Sequence, residues 1–167
     1  MTMAISDPGR AEPQRAARLG ALQAGLLIGV GLAGTLDEVV LYQPLGWHHF
    51  YDRMGPSLGR ISDGIFHVAT TAALAGGVYS LAKGGQAGGR EGRRRAWAGI
   101  LGAGGFNLYD GTVQHKLLRL HQIRPQAPDQ LPYDLVLNAV ALAALAIGWL
   151  LLRRSGREAR RSAPGRS

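Results

Sequence analysis

The stretch LVLNAVALAALAIGWLLL, residues 135–152, carries no charge over 18 residues, and Asn138 is its one strongly polar side chain. An exposed helix of a soluble bundle shows a polar residue at every third or fourth position, and this stretch has no such stripe. A bilayer core about 30 Å thick is crossed by roughly 20 helical residues, so the run reads as a membrane span. Three more charge-free runs precede it: 18 residues at 19–36, 19 at 64–82 and 14 at 96–109. The shortest reaches spanning length only if its helix continues through Asp110 and His115, which puts ionisable groups in or near the membrane. The expected spans are 19–41, 64–81, 96–118 and 135–152. They leave a polar N-terminal tail at 1–18, a four-helix transmembrane domain at 19–152 and a basic C-terminal tail at 153–167.

The rest of the composition agrees. The 167 residues include 25 glycines and no cysteine. Disulfides and thiolate metal sites are therefore excluded. Glycines crowd the apolar runs, as in GLLIGVG at 25–31, where small residues let membrane helices approach closely. The first run lacks a cleavage pattern and is expected to be retained. Of the 19 Lys and Arg residues, 14 fall in the N-tail, the second connection and the C-tail. Basic loops stay inside, so both termini are expected to be cytoplasmic, in a bacterial inner membrane. The basic tail has no aromatic interleaving or nucleic-acid-binding motif behind it, so lipid is the expected partner and nucleic acid is not.

The chain also repeats itself. At an offset of 73, Asp37 falls on Asp110, Tyr42 on His115, Leu45 on Leu118 and His48 on His121. At an offset of 71, Asp63 falls on Asp134, His67 on Asn138 and Gly77 on Gly148. This pattern predicts an all-α four-helix bundle made of two tandem helical hairpins related by an axis along the membrane normal.

With that topology the ionisable residues gather at the outer half of the bundle. Asp63 and His67, four apart, share a helical face; Asp110 shares one with Gln114 and, by helical rotation, with His121. His115 lies about 140° from Asp110, so both meet at one centre only if the helix is distorted. Carboxylates and imidazoles within spans face the interior, pair with one another or mark a site. As a ligand set they suit Zn, Cu(II), Fe or Mn, whereas Cu(I) favours Cys and Met. The leading candidate ligands are Asp63, His67, Asp110, His115 and His121. Asp37, His48, His49, Gln114, Asp134 and Asn138 are secondary. Haem between facing histidines is a weaker fit. The competing reading is a structural or assembly-partner protein whose His and Asp residues only hold helices together. A third, an enzyme or proton pathway through Asp37, Asp63, Asp110 and Asp134, leaves enzymatic activity open, because no nucleophile elbow, phosphate loop or HExxH motif is present.

The motifs LGWHH at 45–49, DGIFH at 63–67 and GGFNLYDGTVQHKLLRLHQIRP at 104–125 resemble the predicted bacterial membrane proteins grouped as domain of unknown function 2243. The resemblance runs over about residues 31–152. It implies a four-span inner-membrane protein, and members' association with copper-oxidase assembly factors implies metal handling and a respiratory-complex partner. In the first segment Tyr42 stands where family members commonly have histidine.

Overall fold

The computed structural model describes residues 8–42, 45, 49–51, 55–83, 89–124 and 127–161. Among them the regular secondary structure is all helical, with no strand. Helix α1 spans Pro8–Leu36, α2 Pro56–Lys83, α3 Arg90–Tyr109 and α4 Leu131–Arg161. Two of the four end in π-helical turns: Asp37–Tyr42 follows α1 directly, and Asp110–Leu117 follows α3. The helices are longer than the charge-free runs, with α1 beginning and α4 ending well into the charged flanks.

Glycine explains how the helices assemble. A Cβ on Gly25 would collide with the Arg95 carbonyl and one on Gly29 with the Gly99 carbonyl, so α1 and α3 touch backbone to backbone with numbering that rises together, and run parallel; Gly102 likewise lies against the Leu26 carbonyl. Gly31 lies against Thr70 and Leu74, and Gly77 against Ala24 and Ile28, which seats α2 antiparallel on α1. Gly104 lies against Ala141 and Leu145, and Gly148 against Leu101, which seats α4 antiparallel on α3. The central pair is thus α1 and α3, flanked by α2 and α4.

The interior is built from small side chains: the buried apolar residues are Ala21, Ala24, Ala98, Ala141 and Ile123. The large ones face outward, with Ile65 and Val68 on α2 each 68% exposed and Val136 and Val140 on α4 above 60%. In water that arrangement would forfeit most of the hydrophobic driving force. In lipid it is the expected one, because close packing, not apolar burial, holds the helices together. Among the described residues three segments are long and apolar enough to cross a membrane, Leu19–Val40, Ser57–Lys83 and Leu131–Glu158. Helix α3 falls short of that standard. It carries Arg93, Arg94 and Arg95 in its opening turns, and its position between α1 and α4 leaves it less lipid to face.

Candidate functional site

The π-helical turns after α3 create the site. Wider winding is signalled by the Leu118 amide donating to the Val113 carbonyl, five residues back, at 2.7 Å. This is the distortion that a regular helix would need to bring His115 beside Asp110. His115 Nε2 stands 3.1 Å from Asp110 Oδ2. His121 arrives by another route than helical rotation: the helix stops at Leu117, Arg119 takes a left-handed φ of 51°, and the chain folds back. His121 Nε2 then stands 3.4 Å from Asp110 Oδ1. The two imidazoles meet edge to face, with ring centroids 4.5 Å apart. Asp110, His115 and His121 are all buried, and each offers one ligand atom within 4.8 Å of the others.

The far nitrogens of both rings face polar groups. His115 Nδ1 faces Asp134 Oδ1 of α4 at 3.7 Å, and Asp134 is held in turn by Lys116. His121 Nδ1 lies 3.0 Å from the carbonyl of Phe50. A proton on His121 Nδ1 would donate to that carbonyl and leave Nε2 as the lone-pair nitrogen on the Asp110 side, the carbonyl–histidine arrangement common around ligated metals, whereas His115 Nδ1 faces Asp134 from beyond hydrogen-bond distance.

Asp63 and His67 are not in this cluster. Asp63, buried on α2, accepts from the Phe50 amide at 2.7 Å and binds His49 Nδ1 at 2.7 Å. It therefore clamps the loop that supplies the carbonyl to His121. Gly59 leaves room for the His49 ring, whose Cγ would stand 3.0 Å from a Cβ there. His67 is half-buried, and its Nδ1 is enclosed without a hydrogen-bond partner. Asp37 is half-buried at the start of the first π-helical turns, with Glu38 buried beside it. Gln114 is buried on the second π-helical turn, its Oε1 without a partner. Asn138 donates to the Asp134 carbonyl at 2.8 Å and packs against Gly111, where a Cβ would lie 2.9 Å from its Oδ1. His48 lies outside the described residues.

Sequence reasoning passed over Phe50 and Lys116. Phe50 stacks on Phe66 at 4.7 Å, and Phe66 stacks on Phe106 at 5.9 Å, so an aromatic column lies beneath the imidazoles. The i+18 spacing of Lys116 and Asp134 gave no periodic signal; only the fold-back between α3 and α4 brings them together.

Compared with known families, residues 24–155 match the family described as "Predicted membrane protein (DUF2243)". The chain belongs to this family. Membership and the outward apolar faces together establish a membrane protein. No curated protein and no solved structure gives a significant match.

Proposed function

We propose that this family member binds a divalent transition-metal ion through Asp110, His115 and His121 and serves in metal handling at the outer face of a bacterial inner membrane. The supporting observation is the convergence of three buried donors, with His121 Nδ1 held at the Phe50 carbonyl and His115 Nδ1 facing Asp134. Ligand atoms about 2.0–2.2 Å from a tetrahedral ion stand roughly 3.3–3.6 Å from one another, by geometry from standard zinc distances. His115 Nε2 lies 3.1 Å from one Asp110 oxygen and His121 Nε2 3.4 Å from the other, and one ligand atom from each residue lies within 4.8 Å of the rest, so a small side-chain adjustment brings the three to that spacing. The donor set suits Zn, Cu(II), Fe or Mn, and three protein ligands leave a position open for a partner's ligand or a water.

The architecture behind this reading is a four-span bundle of two tandem hairpins with both termini cytoplasmic. At the offset of 73, Gly29 against Gly99 corresponds to Gly102 against Leu26. With the offset of 71 for the outer helices, Gly31 against Thr70 and Leu74 corresponds to Gly104 against Ala141 and Leu145. Both π-helical segments begin at the matched aspartates, Asp37 and Asp110. These equivalences fit a twofold axis between α1 and α3.

The alternative is a packing role. It is favoured by the fact that Asp110 already sits within reach of both imidazoles, which can satisfy it without an ion. Thermal melts of the detergent-purified protein with Zn, Cu(II), Fe(II) or Mn, set against Mg, separate the two. Metal binding raises Tm, by about 2.7 kcal/mol of added stability at a hundredfold excess over Kd, and the double variant His115→Ala/His121→Ala loses that rise. A packing role lowers the melting temperature of the variant and leaves both proteins indifferent to metal.

A further inference from the structure

A groove of about 930 Å³ runs along one side of the central helix pair. Its walls are apolar, with Leu32, Ala33 and Leu36 from α1, Ile100 and Ala103 from α3, and Leu137 from α4. Its volume lies within the roughly 300–1,000 Å³ typical of ligand sites, and sites between bundle helices are common. The repeat shows why it is open. The offset of 73 places Ala33 on Phe106, and the offset of 71 places Leu137 on Phe66. Across the pseudo-axis those two rings stack at 5.9 Å and fill the corresponding space; here an alanine and a leucine leave it empty.

The groove is polarised. Arg95 lines one end, and its Nε is enclosed without a hydrogen-bond partner. Arg93 and Arg94 adjoin it in sequence, and the Nε of Arg94 is likewise without a partner. Towards the other end are Asp37, whose carboxylate repels an anion, and Asn107, whose amide already donates to the Ala103 carbonyl at 2.9 Å. A guanidinium presents paired N–H groups that match a phosphate, and basic pockets between spans on the cytoplasmic side recognise anionic head groups. We infer that this groove holds an acyl chain of one anionic phospholipid, its phosphate bound at Arg95 and its chain running along α1 and α3 towards Asp37. The inference rests on the two-hairpin spanning arrangement proposed above and is independent of the metal.

Native mass spectrometry of the delipidated full-length protein, incubated with phosphatidylglycerol or with phosphatidylcholine of the same chains, tests it. One phosphatidylglycerol should remain bound under activation that strips phosphatidylcholine. Arg95→Gln should cut its retention about tenfold, the order expected for one lost charge-assisted contact. Ala103→Phe should abolish retention by filling the groove. Ala33→Phe, which installs the residue found at the matched position, serves the same purpose if Ala103→Phe does not fold. Equal retention of the two lipids, or undiminished phosphatidylglycerol binding in Arg95→Gln or in the folded groove-filling variant, overturns the inference. Metal binding by Arg95→Gln reads the site at Asp110 separately, and reporter fusions read the topology separately.

Discussion

His115 and Asp110 are five residues apart, and on a regular α-helix about 140° would separate them. The residue types were legible in the sequence, but this meeting was not, because a helical wheel assumes the winding that the π-helical turns abandon. His121 was matched to Asp110 for a reason the structure replaces, since a fold-back past Arg119, not helical rotation, carries it there. Asp63 was placed among the ligands and instead acts at one remove, through Phe50. Partners that orient metal-ligating histidines typically contribute 10–100-fold in affinity, so Asp63→Ala and Asp134→Asn should each weaken metal binding by roughly that factor without abolishing it. A metal titration of the two variants checks this. Acidification should release the ion as well, because a protonated imidazole cannot ligate. Equilibrium dialysis at falling pH checks this: bound metal should decline as protons compete for the imidazole nitrogens.

At the scale of helices, the charge-free runs located all four elements, and the glycine clusters located their contacts. Which glycines matter depends on rotation about each axis, and the sequence carries that only through the repeat. Gly29 touches the Gly99 backbone, whereas Gly64 has nothing within 4 Å of the position its Cβ would occupy. Gly29→Val should therefore destabilise the bundle by at least the 1–3 kcal/mol typical of overpacking, since no flexible side chain can yield there. Gly64→Ala should be neutral or stabilising by up to about 1 kcal/mol from helix propensity. Thermal melts in one detergent distinguish the two positions. The third run gave the weakest spanning signal for a reason the fold supplies: α3 lies between α1 and α4, and the π-helical turns that continue it carry buried Asp110, Gln114 and His115 where α2 and α4 carry exposed Ile65, Val68, Val136 and Val140.

For the whole molecule, the sorting of 14 basic residues against 5 sets the proposed orientation. A reporter fused at Asp129 should be periplasmic, and reporters at Gln86 and after Ser167 cytoplasmic; the reverse would move the His/Asp cluster to the opposite face. The parallel run of α1 and α3 is what the proposed pair of same-sense hairpins requires; the imidazoles follow α3, and Asp63 of α2 binds the loop whose Phe50 carbonyl faces His121. The partner of Asp63 was not legible in the 73-residue offset, because His49 lies one position beyond His48, the residue that offset matches to His121. The central claim is tested most directly by elemental analysis of the protein purified without chelator, alongside His115→Ala/His121→Ala. The account predicts about one equivalent of a single transition metal in the parent and none in a variant that remains folded by circular dichroism. A metal-free parent that takes up none of Zn, Cu(II), Fe(II) or Mn on reconstitution, or a folded variant that retains the full equivalent, would contradict it.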